Sequence, residues 1–151
     1  MVIKLTQKQR QQMYRHGENT YPEECCGILF GYSNQETTVV EIWETENVWE
    51  SGENPLETNT GSKRDRFTIA PKNLLEAQKY AREENLTIAG IYHSHPDQVA
   101  IPSEFDRAIA WETYSYIIMS VKAKTVVACR SWKLNDQQQF EEEVIVTEGW
   151  Q

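Results

Sequence analysis

Residues 86–92 of the chain read LTIAGIY, with one polar residue in seven, and run straight into His93-Ser94-His95-Pro96. A short apolar run without alternation is the pattern of a strand buried on both faces. Such a strand lies inside a sheet that is covered from two sides. Whatever follows its carboxyl end is placed where open α/β sheets gather functional groups. Two histidines stand there, and Pro96 keeps His95 out of helical geometry.

The remaining segments supply a sheet and its covers. Thr6 with Gln9 three residues on forms a capping box, so a helix is expected to about His16, with Gly17 as its stop. The run CCGILFGY and the β-branched TTVVEIWE read as two strands, with Ser33-Asn34 near their turn. Residues 49–66 are polar, rich in turn formers, and read as a flexible loop. RFTIA reads as a short strand. Pro71 opens a helix whose Leu74, Ala77, Gln78 and Ala81 share one side. A helix from about Glu104 to Trp111, the strands YSYIIMSV and KTVVACRSW, and an edge strand in FEEEVIVTEGW complete the order. Tyr92, Trp111 and Tyr114 read as ordinary core. Interleaved strands and helices without an internal repeat predict a single domain over 1–151, an α/β mixed sheet with helices packed on its faces.

Composition narrows the function. Fifteen basic and 23 acidic residues leave a net charge of −8, which speaks against a nucleic-acid footprint and against an anionic membrane surface. No apolar run nears the roughly 18 residues of a membrane span, and the start of the chain lacks a signal-peptide pattern, so a cytoplasmic location is expected. Cys25, Cys26 and Cys129 form neither a secreted disulfide framework nor a C-x-x-C pair and read as buried small side chains.

His93 and His95, two apart on an extended chain, face the same way and can offer two imidazoles to one ion. Asp106 in the first turn of the following helix adds a carboxylate. Three such donors suit zinc, with the fourth position left to water as in catalytic sites, and they also suit ferrous iron. Ser103-x-x-Asp106 equally reads as a capping box that needs no metal. Spacing alone leaves both readings open.

The run HSHPDQVAIPSEFD resembles the motif of the JAMM metalloproteases (the MPN or Mov34 family): H-x-H-P, seven residues from Pro96, then S-x-x-D. That family also carries an upstream glutamate in a P-x-E-x-C-G context, and YPEECCG at 21–27 places the matching residue at Glu24. The resemblance runs from about Thr6 to Trp132. It implies a cytidine-deaminase-like fold, and zinc held by His93, His95 and Asp106. It implies Glu24 as the general base and Ser103 as hydrogen-bond donor to the oxyanion. It further implies hydrolysis of a peptide or isopeptide bond at the Gly-Gly tail of a ubiquitin-like protein, a sulfur carrier among the candidates, as in the small stand-alone prokaryotic members. A binding scaffold that has lost catalysis is the alternative, against which the intact residues speak. A zinc deaminase would need P-C-x-x-C, which is absent.

Overall fold

A computed structural model describes residues 1–50 and 61–149. In chain order the elements are β1 (Val2–Thr6), α1 (Gln7–Thr20), β2 (Cys26–Asn34), β3 (Glu36–Thr45), α2 (Pro71–Glu83), β4 (Thr87–Pro96), α3 (Glu104–Ile109), β5 (Ser115–Lys122), β6 (Thr125–Leu134) and β7 (Phe140–Glu148). The seven strands form one mixed sheet in the order β1-β3-β2-β4-β5-β6-β7, closed by the pairing of β1 with β7. Among the described residues no helix is long and apolar enough to cross a membrane.

The apolar run is β4, and it lies at the centre. β2 pairs with it antiparallel, placing Cys26 opposite His93, and β5 pairs with it parallel, placing Ile118 opposite His93. Two apolar clusters flank it, as a strand without alternation requires. On one side Tyr92, Leu29, Ile117 and Met119 pack with Met13 of α1. On the other Ile91, Ile28, Phe30 and Tyr116 pack with Ala77 and Ala81 of α2 and with Phe67 and Ile69. Each large apolar side chain buried this way contributes about 1.5–3 kcal/mol before the entropy of ordering it is subtracted. Glycine lets the layers close up. A side chain at Gly27 would meet the Tyr92 ring at 2.2 Å.

Several expectations need correction. The tail strand β7 is not at an edge: ahead of α1, residues 2–6 form a parallel strand between β3 and β7, so β7 is paired on both sides. Helix α1 does not stop at Gly17. It continues to Thr20, and Gly17 lies where a β-carbon would press on Met119 at 3.3 Å and Val121 at 3.4 Å. RFTIA forms no strand; its bonds to the segment after β3 run from Val48 N–H to Thr68 O at 3.0 Å and through the Asn47 side chain. Trp111 is not core, being 68% exposed. Most of the expected loop at 49–66, namely 51–60, lies outside the described residues.

Candidate metal centre

The two histidines lie within β4 rather than beyond its end, so alternation and the ladder, with β5 for both and with β2 for His93, fix their direction. Their Nε2 atoms are 3.1 Å apart, and Asp106 Oδ2 lies 3.3 Å from that of His93 and 3.1 Å from that of His95. All three residues are buried, with ligand atoms within 4.8 Å of one another, a group that could hold a metal ion. Two imidazoles and one carboxylate converging on one point make an N,N,O donor set suited to zinc with one open position.

Outer contacts hold the donors. The Val99 carbonyl accepts from His95 Nδ1 at 2.8 Å, which leaves the Nε2 lone pair facing the centre. The His93 ring is stacked on Phe67 at 4.5 Å between centroids, and its Nδ1 is buried with no hydrogen-bond partner among the described residues. At Asp106 the two readings that spacing leaves open are compatible. Ser103 caps α3 by accepting from Asp106 N–H at 3.1 Å, while Asp106 Oδ2 accepts from Ser103 N–H at 2.9 Å and also faces both imidazoles. The capping box aims the carboxylate at the histidines.

Glu24 lies in the turn before β2 and is 4% exposed. It lines a cleft of about 440 Å³ together with His95, Ser103, Arg66, Val99 and Ile101. Burial raises its carboxyl well above the ordinary value, the nearby Asp106 and Asp65 push the same way, and Arg66 opposes them. Burial would raise Asp106 too, but the two imidazoles beside it overcome that and hold it below the usual carboxylate range. Burial lowers His93 and favours the neutral, ligating imidazole. The surroundings thus push these two nearby carboxyls in opposite directions.

The neighbouring motif positions have packing roles. Ser94, between the histidines, points to the other side of β4, where its Oγ accepts from Cys25 N–H at 2.8 Å. Cys26 is fully buried with its Sγ 3.4 Å from Thr45 Oγ1, and burial raises the thiol to about 12, so it is not a nucleophile. The sequence did not single out Phe67 or Asn47. Nothing in the local patterns RFTIA and ENVWE marks a residue that works through contacts distant in sequence.

A mixed sheet with helices on both sides, two histidines on its central strand facing an aspartate of α3, and a glutamate in the cleft beside them together define a domain of the JAB class. Residues 6–135 match the Prok-JAB family, described as prokaryotic homologs of the JAB domain, and the chain belongs to that family. It is similar to a desampylase of Pyrococcus furiosus, 29% identical over 127 residues, covering 83% of this chain and 76% of that protein. A desampylase of Haloferax volcanii is 30% identical over 103 residues, 66% of this chain and 63% of that one. The tail tip assembly protein K of Escherichia phage N15 is 26% identical over 104 residues, 69% of this chain, which spans only 35% of that longer protein. The solution structure of a Desulfitobacterium hafniense protein superposes with a TM-score of 0.79 at 25% identity, covering 99% of this chain and 94% of that one.

Proposed function

We propose that this protein is a zinc-dependent peptidase of the JAMM type. Its reaction is hydrolysis of a peptide or isopeptide bond at the C-terminal Gly-Gly tail of a ubiquitin-like protein, with sulfur carriers among the fitting substrates. The observation that carries this reading is the His93, His95 and Asp106 donor set together with Glu24 and Ser103, which line a cleft beside His95. The two relatives named desampylase support the direction of the chemistry. The fold fits the cytidine-deaminase-like class that the motif implies, and a cytoplasmic location fits the proposed substrates.

His93, His95 and Asp106 would hold the ion. Bound there, zinc would supply Lewis acidity, making water more acidic and the scissile carbonyl more electrophilic. Glu24 takes the proton from the attacking water as the new C–O bond forms. It passes that proton to the amine as the C–N bond breaks, a contribution of about 10²–10⁴-fold for a positioned base. The Ser103 oxygen already accepts from Asp106 N–H, so its O–H is free to donate to the tetrahedral oxyanion. Arg64, Asp65, Arg66, Val99 and Ile101 line the cleft and would border the path of an extended tail.

The test is incubation with folded ubiquitin-like proteins linked through their tails to a peptide or lysine, with and without chelator, read by mass spectrometry. Cleavage after the terminal glycine that stops on chelation and returns with Zn²⁺ is expected. A protein loaded with one equivalent of zinc that leaves every such linkage intact refutes the reading and favours the non-catalytic scaffold.

A further inference from the structure

Glu24 raises a question of placement. Among the described residues its carboxylate has no hydrogen-bond partner, although the side chain is buried. Its backbone, by contrast, is held on both sides. Both polar groups of that backbone are tied to other segments: the N–H donates to Lys63 O at 2.7 Å, and the carbonyl accepts from Asn47 Nδ2 at 3.0 Å.

Asn47 follows β3, is buried, and makes every hydrogen bond a primary amide can make. Its Nδ2 donates to Glu24 O and to Arg66 O, both at 3.0 Å. Its Oδ1 accepts from Trp49 N–H at 3.1 Å and Thr68 N–H at 3.2 Å. One side chain thus joins the turn bearing Glu24, the end of β3 and the strap 66–68. That strap touches the rest of the centre. Phe67 stacks on His93, and the Arg66 guanidinium lies 4.8 Å from the centroid of Phe105, the neighbour of Asp106.

We propose that Asn47 is the positioning residue for the general base. It fixes Glu24 relative to the metal ligands by locking the glutamate's carbonyl to the strap that packs on them. The inference rests on the hydrolase reading above. Asn47 touches no reacting atom and acts only through Glu24.

Two variants separate this role from general stability. Asn47→Asp keeps the acceptor for Trp49 and Thr68 N–H and places a second acceptor against the carbonyls of Glu24 and Arg66. Asn47→Ala removes all four bonds. Both are made in the wild-type and the Glu24→Gln backgrounds and assayed per bound zinc. With Glu24 intact, Asn47→Asp lowers kcat by about 10- to 100-fold, the scale of a small misplacement, with KM within about twofold. In Glu24→Gln the same change alters the residual rate less than about twofold, because the two residues act as one unit. An unchanged kcat, or an equal fold loss in both backgrounds, overturns the proposal. Amide exchange on the metal-free proteins keeps it separable from the hydrolase reading. The Glu24 N–H exchanges faster in both variants while the β4–β5 ladder keeps its protection. If the wild-type protein cleaves no substrate, the hydrolase reading falls and the exchange result decides the tether. Unchanged Glu24 exchange overturns it.

Discussion

Replacing Ser94 by alanine removes one oxygen from between the two histidines and tests how their strand is joined to the glutamate. The hydroxyl is fully buried and accepts from the amide of Cys25, the residue after Glu24, at 2.8 Å. Alanine fits the space but leaves that amide without a partner and out of reach of water. An orphaned buried donor costs about 1–3 kcal/mol. For a chain of this length each kcal/mol lowers Tm by about 2–4 °C, so a fall of about 2–12 °C is expected. Calorimetry of the metal-free protein is the assay, because bound metal would mask part of the loss by mass action. Urea titration should show the same loss as a lower midpoint with an unchanged slope, since the surface exposed on unfolding stays the same. Zinc stoichiometry should hold, because Ser94 faces away from the ligands. A Tm within about 1 °C of wild type would show that the Cys25 amide finds another partner, and the reasoning about this strand junction would fail.

Other substitutions bear on the centre itself. Glu24→Gln should keep zinc, measured by metal analysis, while turnover falls by about 10²–10⁴-fold. It should also stabilise the metal-free protein at neutral pH. A carboxyl raised by burial contributes its stability below its ordinary value of 4.5, and that contribution is lost as pH rises through the folded value, so the advantage of glutamine should shrink as acid is added. His93 has the opposite sign. Burial lowers it, so its contribution is present above its ordinary 6.5 and is lost as pH falls from there toward the folded value. Metal-free melts should therefore weaken below about 6.5 in wild type. With zinc at about 100 times Kd, the wild-type Tm should rise by about 5–11 °C, the equivalent of about 2.7 kcal/mol, and His95→Ala should abolish that response.

Much of the centre is legible in the sequence because its residues are close along the chain. His93, His95, Ser103 and Asp106 span one strand end and the next helix start, and local rules of alternation and capping aim them. Glu24 is visible only through the motif it resembles, since 69 residues separate Cys25 from the Ser94 that holds it. Asn47 is not marked by its local sequence, because three of its four bonds go to distant backbone. The strand Val2–Thr6 is hidden because Thr6 ends it and caps the helix at once, leaving no turn to mark a boundary. Gly17 misleads for a physical reason. Glycine stops helices where the backbone needs the left-handed region, and here it answers to the crowding of Met119 and Val121 instead. Phe67 and Ile69 read as a strand because they are apolar and alternate, yet they supply cover for β4 without a ladder of their own.

The central seat of β4 has a consequence for how the protein would handle its ion. Pairing with β5 secures both histidines, and pairing with β2 secures His93 as well, whether or not anything sits between them. Stripping the cation should then leave an empty but unaltered socket, ready for instant reloading, so chelation would silence the protein reversibly and without a refolding delay.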